Sequence, residues 1–75
     1  MLSAEQVDWE IEAYDRKLST LSERYMGGER SGMVAEVQGH GDALISLLEE
    51  APLSRRSRID NLIDRFEALR ISCMS

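Results

Sequence analysis

Four features of this chain are of residue types that could do chemistry. They are a lone imidazole and a lone thiol (His40 and Cys73), a glycine-rich stretch (27–32), a run of arginines (Arg55, Arg56, Arg58) and a single tryptophan, Trp9. His40 could act as a general base, but that role needs a nucleophile or substrate proton within hydrogen-bond reach. No serine, cysteine or acid stands beside it in a nucleophile arrangement. Set between Gly39 and Gly41, it reads as a loop or helix-face residue. One histidine and one cysteine fall short of the four ligands of a structural zinc site. Gly27-Gly28-Glu29-Arg30-Ser31-Gly32 has the glycines of a phosphate loop. It lacks the closing Gly-Lys-Ser/Thr and follows no strand, so it reads as a helix terminator. The acids form no paired, desolvated constellation. No catalytic, cofactor-binding or metal-ligating residue is assigned, and the chain is expected not to be an enzyme and to use no cofactor.

The arginines point outward from chemistry to partners. Arg55, Arg56 and Arg58 crowd the start of a helix, where the dipole disfavours each cation by roughly 0.3–1 kcal/mol. An anionic neighbour is therefore implied. Acidic helices of the same chain come first; nucleic-acid phosphates or an acidic partner surface would also answer. Trp9 lies on the outer line of its helix with Leu2 and Arg16, and Ala13 nearby. Tryptophan is enriched among interface hot spots, so Leu2, Trp9, Ala13 and Arg16 form a candidate partner-binding face. A second helix or subunit covering Trp9 is the other reading.

These groups must be positioned by helices. Val7, Ile11, Tyr14, Leu18, Leu21 and Tyr25 are spaced 4-3-4-3-4, the rhythm of a helix that buries one narrow stripe, either as core or as an oligomer seam. Ser3 with Gln6 fits a capping box and Leu2 with Val7 a hydrophobic staple. Glu12 and Arg16 are spaced for an ion pair one turn apart. The first helix is predicted over 4–26, ended by Gly27-Gly28. In the second segment Val34, Val37, Leu44 and Leu48 continue a stripe with Gly41 in the vacant slot, and Met33, Ile45 and Leu47 widen it. That predicts a continuous helix over 31–50, with Gly41 admitting a neighbouring backbone; a hinge at Gly39-His40-Gly41 is the alternative. After Pro52, Ser54 can cap a third helix over 54–72 that carries Ile59, Leu62, Ile63, Phe66 and Leu69. The stretches 47–54 and 59–69 resemble segments of winged helix-turn-helix repressors of the MarR type. Here they run together where that family places a further helix, so no family is assigned. The expected fold is all-α, a small antiparallel three-helix bundle forming a single domain, completed by dimerisation.

Length and charge set the frame. A 75-residue chain buries only roughly 60–65% of its unfolded surface. With no disulfide or metal site, oligomerisation is the remaining staple. Bulky tyrosines on the seam and the flanking charges favour an antiparallel arrangement. Net charge is −5, with a basic third segment against two acidic ones. Acidity argues against nucleic acid as partner. No apolar run approaches the ~20 residues that span a bilayer, so no membrane role is expected. An acidic N-terminus and an unpaired thiol predict a cytoplasmic protein. The expected function is that of a small helical protein, a homo-oligomer, that regulates, inhibits or chaperones another protein by binding it. The alternative is a DNA-binding regulator using the arginines.

Overall fold

A computed structural model describes residues 2–74 as three helices, α1 (Ala4–Met26), α2 (Met33–Glu50) and α3 (Leu53–Met74), with no strand among the described residues. Each boundary has a local cause. Ser3 opens α1 with a capping box: its hydroxyl accepts from the Gln6 N–H, and the Gln6 side chain accepts from the Ser3 N–H. The turn after α1 contains Gly28 at φ +90° and Gly32 at φ +76°, backbone conformations that glycine adopts without steric penalty. Because Gly32 is left-handed, α2 starts at Met33 rather than at Ser31. Pro52 directly precedes α3, which begins at Leu53, so Ser54 lies inside its first turn and does not cap it.

The helices run up, down, up. α1 and α3 are parallel, since Asp8 meets Arg55, Asp15 meets Arg65 and the Tyr25 hydroxyl donates to the Ser72 carbonyl (3.4 Å). α2 is antiparallel to both, with the Leu2 N–H donating to the Glu50 carbonyl at one end and Arg24 pairing with Glu36 at the other.

The predicted α1 stripe is the core face of α1: Val7, Ile11, Leu18 and Leu21 are buried, and Tyr14 and Tyr25 pack against them half-buried. From α3 come Ile59, Leu62 and Phe66. The phase of α2 differs from the expectation. Its buried positions are Met33, Val37, Leu44 and Leu47, followed by Ala51, so the vacant slot in the 4-3 rhythm belongs to His40. Gly41 is not a packing site: a Cβ there, or at Gly39, would meet nothing within 4 Å. The helix is continuous through both glycines. Among the described residues no polar or charged one is buried, and one chain closes its own core. Its accessible surface of 4784 Å² is close to the ~4,700 Å² that area scaling gives a compact monomer of this mass. No helix among the described residues is long and apolar enough to cross a membrane.

Candidate functional site

Of the sequence-predicted arginines, Arg55 and Arg58 reach α1 and Arg56 reaches the end of α2, while Arg56 and Arg58 stay exposed to solvent. Arg55 donates from both nitrogens of its fork to Asp8 (2.6 and 3.2 Å), and Arg58 donates to the same carboxylate (3.3 Å). Arg56 donates to the Ala51 carbonyl where α2 ends (3.3 Å). The Arg55 hydrogen bond, opposed by desolvation and helped by the charges of Arg55 and Arg58, holds the Asp8 carboxyl below its usual range. The acidic first helix thus answers the dipole-disfavoured cations, while α2 supplies only a backbone carbonyl.

At mid-height of the bundle three rings form one layer. His40 lies edge-on to Tyr14 (centroids 5.9 Å) and tilted against Phe66 (5.8 Å), and Tyr14 meets Phe66 edge-on (6.4 Å). Burial, reinforced by the Lys17 charge and opposed by Glu36, pushes the imidazole below its ordinary pKa. The half-buried ring thus packs on Tyr14 and Phe66 at the margin of the core, and it has no hydrogen-bonded nucleophile or acid among the described residues.

The open surface lies between α1 and α2. α2 nests against α3 more closely than against α1, which leaves a groove running along the α1–α2 seam. Its first half, about 480 Å³, is lined by Leu2, Trp9, Tyr14, Ala43 and Leu47, with Glu10 and Glu50 as the ionisable groups beside Tyr14. Its second half, about 460 Å³, is lined by Ala13, Arg16, Lys17, Thr20, Arg24 and His40, with Leu21 and Glu36. Trp9 is 65% exposed, so its own chain covers only about a third of it. The candidate face therefore divides: Leu2 and Trp9 line the acidic half, Ala13 and Arg16 the basic half.

The charges of this groove are unevenly satisfied. Arg24 is tied to Glu29 (3.0 Å) and Glu36 (2.9 Å), and Lys17 lies over the Tyr14 ring (4.5 Å). The predicted Glu12–Arg16 pair does not form. Six of the nine bases hold an ion pair or a carbonyl, as Arg24, Arg55, Arg56, Arg58, Arg65 and Arg70 do, and Arg30 and Lys17 lie over tyrosine rings. Arg16 alone has no partner among the described residues. Glu10 likewise forms no ion pair or hydrogen bond among them.

Sequence reasoning placed Leu47 on the edge of the α2 stripe but did not bring it and Ala43 to the groove, and it missed the placement of His40. The signal was present: Met33, Val37, His40, Leu44, Leu47 and Ala51 keep a 4-3-4-3-4 spacing once a histidine is admitted to it. Compared with known protein families, with curated proteins and with solved structures, the chain matches none of them.

Proposed function

We propose that the protein is a non-enzymatic interaction module that regulates, inhibits or chaperones another protein by receiving one of its helices in the α1–α2 groove. The observation that carries this reading is the exposure of Trp9 at the mouth of an apolar groove, beside Leu2 and Leu47. A large aromatic held rigidly on a helix supplies contact area at low entropic cost and typically dominates the interfaces it enters. The molecule is 38 Å long, room for a helix of about 20 residues. The occupant that fits is an amphipathic helix with apolar anchors one turn apart and a basic residue toward Glu10 and Glu50. The free Cys73 thiol supports a reducing, cytoplasmic setting.

The DNA-binding alternative through Arg55, Arg56 and Arg58 is weakened by their internal engagement and by the net charge of −5. A photoreactive phenylalanine analogue placed at position 9 in the native host tests the main reading. It should cross-link to a different protein, whereas the same analogue at Ser57 should not. Absence of any foreign adduct at position 9 overturns the reading.

A further inference from the structure

We infer that the α1–α2 face is also a self-association surface, closed by a second copy of this chain in an antiparallel, two-fold dimer that excludes the partner. The inference uses the face proposed above for partner binding and names what regulates access to it. The argument is electrostatic and geometric. Along α1 the face carries Glu10 before Ala13 and Arg16 and Lys17 after it, acidic at one end and basic at the other. Two copies can meet face to face about a two-fold axis along the helices or across them. The first brings acidic end to acidic end, and like charges in juxtaposition cost several kcal/mol. The second reverses one copy, so that opposite ends meet.

With the axis level with Ala13, residues equally far before and after it face each other. Glu10 meets Arg16 of the other copy, and Trp9 meets Lys17, whose stem and ammonium suit an indole face. Each contact occurs twice, as an isologous interface requires. The pairing engages Arg16, the one basic residue without a partner among the described residues, and Glu10, which has none either. Small residues line the face near the crossing, Ala13 on α1 and Ala43 on α2. They let the two copies approach closely. The molecule is 38 Å long, so a face running its length offers room for an interface of the standard size class. The predicted seam residues are core in one chain, so a dimer must use an outer face, and this one carries charges that complement each other when one copy is reversed.

Charge exchange tests it. The wild type should sediment as a dimer at about 100 µM, and Glu10→Arg or Arg16→Glu alone should weaken the dimer at least about tenfold, because each sets like charges opposite one another. Mixing the two variants should restore a dimer containing one of each. The two introduced charges then face each other with opposite sign, and the native Glu10–Arg16 contact forms at the symmetry-related position; an unfolded variant could not do this. A wild type that stays at the 8.5 kDa monomer mass, single variants that dimerise like wild type, or a mixture that remains monomeric each overturn the inference. The two proposals fail separately. A monomer that still cross-links to another protein at position 9 sinks only the dimer. A charge-specified dimer without foreign adducts sinks only partner binding.

Discussion

Replacing Trp9 with alanine separates surface anchoring from core packing. Trp9 is 65% exposed, so about a third of a side chain offering roughly 250 Å² is covered in its own chain, about 90 Å². At roughly 25 cal/mol per Å² that contact contributes at most about 2 kcal/mol, and residual compactness of the unfolded chain lowers the figure by roughly 10–40%. An unfolding entropy of roughly 2.1 cal/mol/K per residue makes 1 kcal/mol worth about 6 °C here, so Tm should fall by no more than about 12 °C. Phe66→Ala is the contrast. Phe66 is 1% exposed and closes the three-ring layer, and truncating such a residue costs about 3–5 kcal/mol. That approaches the whole stability of a domain this size, about 4–11 kcal/mol. Far-UV circular dichroism melts at about 1 µM and about 100 µM give the readout. Over that range a dimer's Tm depends on concentration, so wild type should gain Tm where Trp9→Ala gains little. Equal losses for Trp9→Ala and Phe66→Ala at the lower concentration would refute the reasoning, because Trp9 would then be covered inside one chain.

Two further outcomes follow from the same packing. Leu18→Asp sets a carboxylate at a position 5% exposed on the α1 stripe and should unfold the protein, whereas Glu12→Gln should stay within about 0.5 kcal/mol of wild type; similar melts for the pair would mean the stripe does not face the core. Stability should fall with pH in two separate windows. His40 is depressed below its ordinary 6.5, so the unfolded chain takes up a proton that the folded chain resists, and stability present above 6.5 declines as pH falls below it. Asp8 and Glu67 are also depressed, from 3.8 and 4.5, chiefly by hydrogen bonds from Arg55 and Arg70. Being acids, they lose their contribution only as pH falls below those values. His40→Leu should abolish the upper decline and leave the lower one; an unchanged upper decline would assign it to another group.

What was legible in the sequence was what apolar spacing encodes. The α1 stripe could be read because all six of its positions are apolar or aromatic, and the Ser3–Gln6 cap because it is a local exchange of two hydrogen bonds. The phase of α2 was misread because Val34 and Leu48 each lie one position from a buried residue, and both are as apolar as Met33 and Leu47. The true stripe passes through His40, which carries no hydrophobic signal, and its fitness for the slot depends on Tyr14 and Phe66 from two other helices. The groove was illegible for a similar reason. Trp9 could be placed on the outer line of α1, but whether α2 would cover it depends on how far α2 leans toward α3, a property of all three helices together.

The bookkeeping of charge carries the same lesson into function. Read as a string, Ser54-Arg55-Arg56-Ser57-Arg58 is the most phosphate-like feature of the chain. In the fold, Asp8 holds two of its guanidiniums and the Ala51 carbonyl holds the third. Binding a phosphate with Arg55 or Arg58 would leave the Asp8 carboxylate without its partners, on a protein that already carries five excess acids. Arg16 is the base that no internal partner among the described residues restrains. A single neutralised phosphate gives a salt dependence of only about −0.9 in log K against log salt, far below the 6–10 contacts of a typical DNA-binding surface. One unpaired cation, in a groove whose other half is acidic and carries an exposed indole, is poor equipment for a polyanion. It suits a contact with one carboxylate on a facing helix, which is the chemistry that Glu10 of a second copy would bring.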